Sequence, residues 1–134
     1  MPIPDHTSFQ PQTEFELKLD RAARGMALPE VFTEALAATE VWVLTDKQMQ
    51  PGVWDFTATP LAITAPEVGD VIATFSHPSR AEGWAEVFPG SPHLMRVDVQ
   101  WLIGGMPAGL GLAINVGWPA AVFVPAARMG ELKR

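Results

Sequence analysis

Residues 73–88 read ATFSHPSRAEGWAEVF, and their pattern changes halfway. Ala73–Phe75 close the run VIATF (71–75), which has the composition of a buried strand. From Pro78 onward, Ala81, Trp84, Ala85 and Phe88 fall at i, i+3, i+4 and i+7, the spacing of one helix face. Ser76-His77 stands between the two patterns. It is either a nucleophile beside its base or the junction of a strand with a helix. Side chains at i and i+1 leave a strand on opposite sides. No G-x-S-x-G elbow surrounds the serine. Ser76 is therefore expected as a helix cap rather than a catalytic group, accepting from the N–H of Ser79 or Arg80. Pro78 suits the first turn, where no donor is needed.

Toward the N-terminus, residues 1–12 hold three prolines and little apolar periodicity, and are expected as a flexible arm. Thr13 and Glu16 have capping-box spacing. Phe15, Leu19, Ala22 and Met26 then recur at helical spacing, with Gly25 as a C-cap. Pro29 opens a second helix carrying Phe32, Ala35, Leu36 and Thr39. VWVLT (41–45) reads as a buried strand and LAIT (61–64) as a weaker one, with the Pro51-Gly52 turn between them.

Toward the C-terminus, LMRV (94–97) is a short strand candidate. Asp98 caps a helix with Val99, Leu102, Ile103 and Met106 on one face. GLGLAI (109–114) and AAVFV (120–124) read as strands around an Asn115–Pro119 turn, and Pro125 opens a last helix bearing Met129 and Leu132. Helices lead and strands then interleave with helices. The expected class is α+β, or α/β, with a mixed sheet of about five strands and about five helices. The 134 residues suit one domain, over 13–134.

Composition removes several function classes. There is no cysteine, which excludes disulfides, thiolate nucleophiles and Cys-based metal centres. It also fits a reducing, cytoplasmic setting. No apolar run approaches the ~18–20 residues of a membrane span, and the first residues lack the pattern of a signal peptide. The net charge is −6: residues 1–70 carry eleven acids and four bases, and residues 71–134 four acids and five bases. With no dense basic patch, nucleic-acid binding is not expected. His6, His77 and His93 lack metal-ligand spacing, so neither a metal nor a cofactor is expected. The glycine-rich run 104–117 passes from helix to strand, the reverse of a dinucleotide loop.

Three motifs in order carry a family resemblance. They are TEFELKLDRAARGMALPEVFTEALAATEVWVL (13–44), FSHPSRAEGWA (75–85) and GLGLAINVGWPAAVFVP (109–125). The chain resembles the SseB N-terminal domain family, named for enhanced serine sensitivity, from about Thr13 onward. It departs from the family pattern at Phe15, His77 and Val116, where the family has leucine, an acidic or small residue, and proline. The resemblance implies a regulatory or interaction module without catalysis, and it brings no catalytic residues.

Two candidate sites follow from the residues. Trp54, Phe56, Trp101, Met106 and Trp118 form a candidate surface for a protein partner or for self-association, because loop aromatics are enriched at hot spots. Asn115 and Gly117 form a candidate ligand turn, the site of the alternative reading as a small-ligand binding protein near Asn115–Trp118. A third reading is a hydrolase using Ser76 or a carboxylate pair.

Overall fold

A computed structural model describes residues 6–25, 29–47, 59–65, 68–106 and 109–133. Helices α1 (Glu14–Ala23) and α2 (Pro29–Ala37) lead into β1 (Glu40–Thr45), β2 (Ala62–Ala65) and β3 (Gly69–Phe75). A 3₁₀ turn (Pro78–Ala81), α3 (Trp84–Val87), β4 (His93–Asp98) and α4 (Val99–Gly105) follow. β5 (Gly111–Ile114), β6 (Val122–Val124) and a second 3₁₀ turn (Ala126–Glu131) complete the described chain. The class is α+β.

The strands form one mixed sheet in the order β4-β1-β3-β5-β6. β1 lies antiparallel to β4 and to the C-terminal end of β3, through Trp42↔Phe75 and Val43↔Thr74. β2 takes over the same lane along β3, from Ala62↔Ile72 to Ala65↔Gly69. β3 and β5 are parallel, with Ile72↔Leu112 and Thr74↔Ile114 in register, and β6 closes antiparallel on β5. The parallel pair is joined by the crossover from Ser76 to Leu110, which explains why strands and helices interleave there.

Period-2 alternation sends residues to two faces. Val41, Val43, Ile72, Val97, Leu112 and Ile114 face α1, α2, α4 and the last 3₁₀ turn, and meet Leu19, Phe32, Leu36, Leu102, Met129 and Leu132. Leu44, Ala73 and Phe75 face the other way, onto Ala81 and Trp84. The first face holds most of the fully buried aliphatics, each worth about 1.5–3 kcal/mol, so it is the main core. Thr74 is buried, and its Oγ1 donates to the Ala113 carbonyl at 2.8 Å, which removes the cost of its hydroxyl. Gly111 is required by packing. A Cβ there would overlap the Val124 carbonyl oxygen and stand 3.0 Å from the Ala126 nitrogen.

Several expectations need correction. The helix expected from Pro78 is a 3₁₀ turn and a separate one-turn α3, because Gly83 sits at φ +85° and breaks the continuation. Trp84 is fully buried as expected, but Ala85 is exposed. The cap expected of Ser76 is supplied by His77, whose Nδ1 accepts from the Ser79 N–H at 3.2 Å. From His6 onward the segment expected as a flexible arm is docked, with Phe9 only 7% exposed in the main core. The last helix is a 3₁₀ turn.

Candidate functional site

α1 starts at the Thr13 cap, whose Oγ1 accepts from the Glu16 N–H at 3.1 Å. In a complete capping box the Glu16 carboxylate would return to the cap N–H. Here it accepts from the Gln12 N–H at 2.8 Å and turns inward to Arg80, held on the first 3₁₀ turn. Arg80 Nε donates to Glu16 Oε2 at 2.9 Å and Nη2 to Oε1 at 2.8 Å, a bidentate pair. Both side chains are buried, Glu16 completely. Arg80 Nη2 also donates to the Gln10 carbonyl at 2.6 Å.

Ser76 and Asn115 complete the cluster. The Ser76 hydroxyl donates to Glu16 Oε2 and accepts from Asn115 Nδ2 at 2.8 Å. Asn115 Oδ1 accepts from the Ser76 N–H at 3.0 Å. Asn115 thus joins the ends of β3 and β5, and its φ of +59° turns the chain away from the sheet, a conformation asparagine tolerates better than other side-chain residues. Burial pushes the Glu16 carboxyl upward. The hydrogen bonds from Arg80, Ser76 and Gln12, with the Arg80 charge, outweigh burial and hold it below its ordinary value.

The Arg80 guanidinium sits in the corner of two nearly perpendicular rings, 4.2 Å from the Phe9 centroid and 4.6 Å from that of Trp118. Trp118 Nε1 donates to the Arg80 carbonyl at 2.9 Å. The His6 ring stacks on the same indole at 3.6 Å and 9°. Phe9, Arg80, Trp118 and His6 thus form one contiguous cluster, with Phe9 edge-on to Trp118 at 75° and His6 parallel to it.

The sequence candidates divide accordingly. Trp118 belongs to this cluster. Trp101 and Met106 are half-buried against the main core. Trp54 and Phe56 lie outside the described residues. Asn115 is fully buried, and the Gly117 carbonyl accepts from the His6 N–H at 2.7 Å. Ser76 and His77 line a cleft of about 440 Å³ with Trp42 and Arg96, but His77 Nδ1 is 2.8 Å from Ser79 Oγ while the Ser76 proton points to Glu16. No group of three or more His, Cys, Asp or Glu able to hold a metal occurs among the described residues. None of their helices is long and apolar enough to cross a membrane.

Residues not singled out from sequence also matter. Arg80 and Glu16 were legible as a motif position and a cap partner, while their pairing depends on tertiary placement. Phe123 is missed altogether. It reads as a strand residue, yet it is 38% exposed at the sheet edge. Beside it lies a mostly apolar groove of about 380 Å³ between α2 and β6, lined by Phe32, Leu36, Phe123 and Val124 and also by the ion-paired Arg128 and Glu131.

The mixed sheet, its helical cover and the ion-paired cluster at the ends of β3 and β5 define a small α+β domain. Residues 11–130 match the SseB protein N-terminal domain, and the chain belongs to that family. No curated protein and no solved structure matches the chain.

Proposed function

We propose that this chain is a non-catalytic protein-interaction module whose docking face is the β6 edge and its adjoining groove. The observation that carries the reading is the contrast between β4 and β6, the two end strands of the β4-β1-β3-β5-β6 order. β4 presents His93, Arg96 and Asp98, charges and a polar ring of the kind that discourage strand pairing. β6 reads VFV, has no charge and leaves Phe123 exposed beside an apolar groove. An extended segment of a partner protein would add as a strand and place alternate side chains in the groove. β6 spans only about 10 Å, short of what a stable symmetric dimer buries, so a peptide-like partner suits it better than a second copy. The cysteine-free composition suits a partner met in the cytoplasm.

The other readings draw less support. The Ser76 hydroxyl donates a hydrogen bond to a carboxylate that Arg80, with Gln12, holds below its ordinary value, which makes Glu16 a weak base. At the Asn115–Trp118 turn, the polar atoms a ligand would use are engaged by Ser76, His6 and Arg80.

A photo-crosslinking residue at position 123, with a control at exposed Glu86, tests the reading. The expected result is one protein adduct at 123 alone. Excess unlabelled chain should suppress it, and excess Phe123→Asp chain should not. Identical adducts at both positions, or none at 123, would refute the reading.

A further inference from the structure

The segment His6–Gln10 belongs to no helix or strand, yet it is held at four points. The His6 N–H donates to the Gly117 carbonyl, and its ring stacks on Trp118. Phe9 covers the Arg80 guanidinium and meets Trp118 edge-on at 6.1 Å. The Gln10 carbonyl accepts from Arg80 Nη2. Two main-chain hydrogen bonds and two ring contacts from a short bent segment are the kind of contacts by which a receptor holds a peptide.

The receiving surface is braced by bonds in which this segment takes no part. Arg80 is fixed by Glu16, Trp118 by the Arg80 carbonyl, and the turn by the Trp118 N–H to the Asn115 carbonyl at 3.0 Å. The receiving residues Glu16, Arg80, Gly117 and Trp118 all lie within residues 11–130, and the received residues His6, Phe9 and Gln10 precede that span. One contact of the docked state is imperfect: His6 Nε2 is buried without a hydrogen-bond partner. Such a group lowers the free-energy gap to release.

We infer that the Arg80–Trp118 surface is a binding groove for a His-x-x-Phe segment bent at its second residue, filled in cis by this chain's own residues and open to the same segment in trans. The inference is independent of the β6 edge. Tethering places the cis segment at an effective concentration of about millimolar or more, so a free peptide competes poorly with it in the unaltered protein.

The test weakens the cis segment and supplies it from outside. A full-length His6→Ala/Phe9→Ala chain is titrated with the synthetic peptide DHTSFQP (residues 5–11), following the Trp118 indole N–H by NMR. Saturable binding is expected, at least about tenfold tighter than for the peptide with alanine at the phenylalanine position, a margin of about 1.4 kcal/mol. Absence of saturable binding, or equal binding of the two peptides, overturns the inference. So does failure of the double variant to fold, since the segment would then be an inseparable part of the core. A second measurement uses the unaltered chain. The His6 amide should exchange hydrogen at least about a hundredfold faster than the Ile72 amide, because release is local. Equal rates would overturn the inference.

Discussion

Replacing Arg80 by methionine separates the ion pair from the packing around it. Methionine keeps an unbranched stem between Phe9 and Trp118. It removes the donors at 2.9 and 2.8 Å to Glu16 and the donor at 2.6 Å to the Gln10 carbonyl. Lost cation–π contact costs about 0.5–2 kcal/mol. Stranding a buried carboxylate costs more, about 3–5 kcal/mol, and dominates. For a domain of this size the combined loss corresponds to roughly 12–25 °C in Tm.

The charge argument also fixes the pH signature. With Arg80 present, Glu16 titrates below its ordinary 4.5, so its contribution is complete above that pH and is lost as pH falls through the lowered folded value. In Arg80→Met, burial acts without the cation, opposed only by the Ser76 and Gln12 hydrogen bonds, and the folded value moves up from its place in the unaltered chain. The penalty is then largest near neutral pH and shrinks on acidification. Urea unfolding at pH 7 and pH 4.5, followed by far-UV circular dichroism, reads both effects. Adding Glu16→Gln to Arg80→Met should restore about 2 kcal/mol at pH 7, since a neutral amide is cheaper to bury. A loss below about 1 kcal/mol at pH 7, or a loss independent of pH, would refute the assignment of Glu16–Arg80 as a buried charged pair.

Two further substitutions probe the same region and the sheet. Ser76→Ala removes one donor to Glu16 and one acceptor from Asn115, so about 1–3 kcal/mol should be lost in urea melts, with the acid-unfolding midpoint moving to higher pH. Gly111→Ala forces a methyl into the Val124 carbonyl and should cost about 1–3 kcal/mol; an unchanged urea midpoint would show that β6 moves aside freely.

The legible parts of this fold are those that local physics decides. Val41, Val43, Ile72 and Leu112 lie in short, largely apolar runs, those around Val41 and Ile72 rich in β-branched residues, and buried strands follow from that composition. Thr13 and Asp98 cap helices as their spacing implies, because capping needs only three or four residues. The run after Pro78 was less legible. Its apolar spacing fits one helix, while a single glycine at φ +85° ends the turn early. Ser76 had the chemistry of a cap, but Asn115 and Glu16 competed for it from 39 and 60 residues away. Separation of that order is invisible to spacing. Residues 6–12 looked unstructured for the same reason, since their partners Arg80, Gly117 and Trp118 are brought to them only by the β3–β5 pairing.

The shared lane of β1 and β2 bears on how the domain tolerates changes in length. The chain leaves that lane after Thr45 and rejoins it at Pro60, where the two residues bridge. The Asp46 N–H donates to the Thr59 carbonyl at 3.3 Å, and the Thr59 N–H to Asp46 Oδ1 at 2.5 Å. Both ends of the excursion are therefore clamped to each other before the sheet resumes. The register of β2 on β3 is therefore anchored by Thr45, Asp46, Thr59 and Pro60, and not by the number of residues that separate them in sequence. In a flexible connection each doubling of length costs only about 0.6 kcal/mol in closure entropy. Chain length between the clamp's two sides is thus uncoupled from strand pairing.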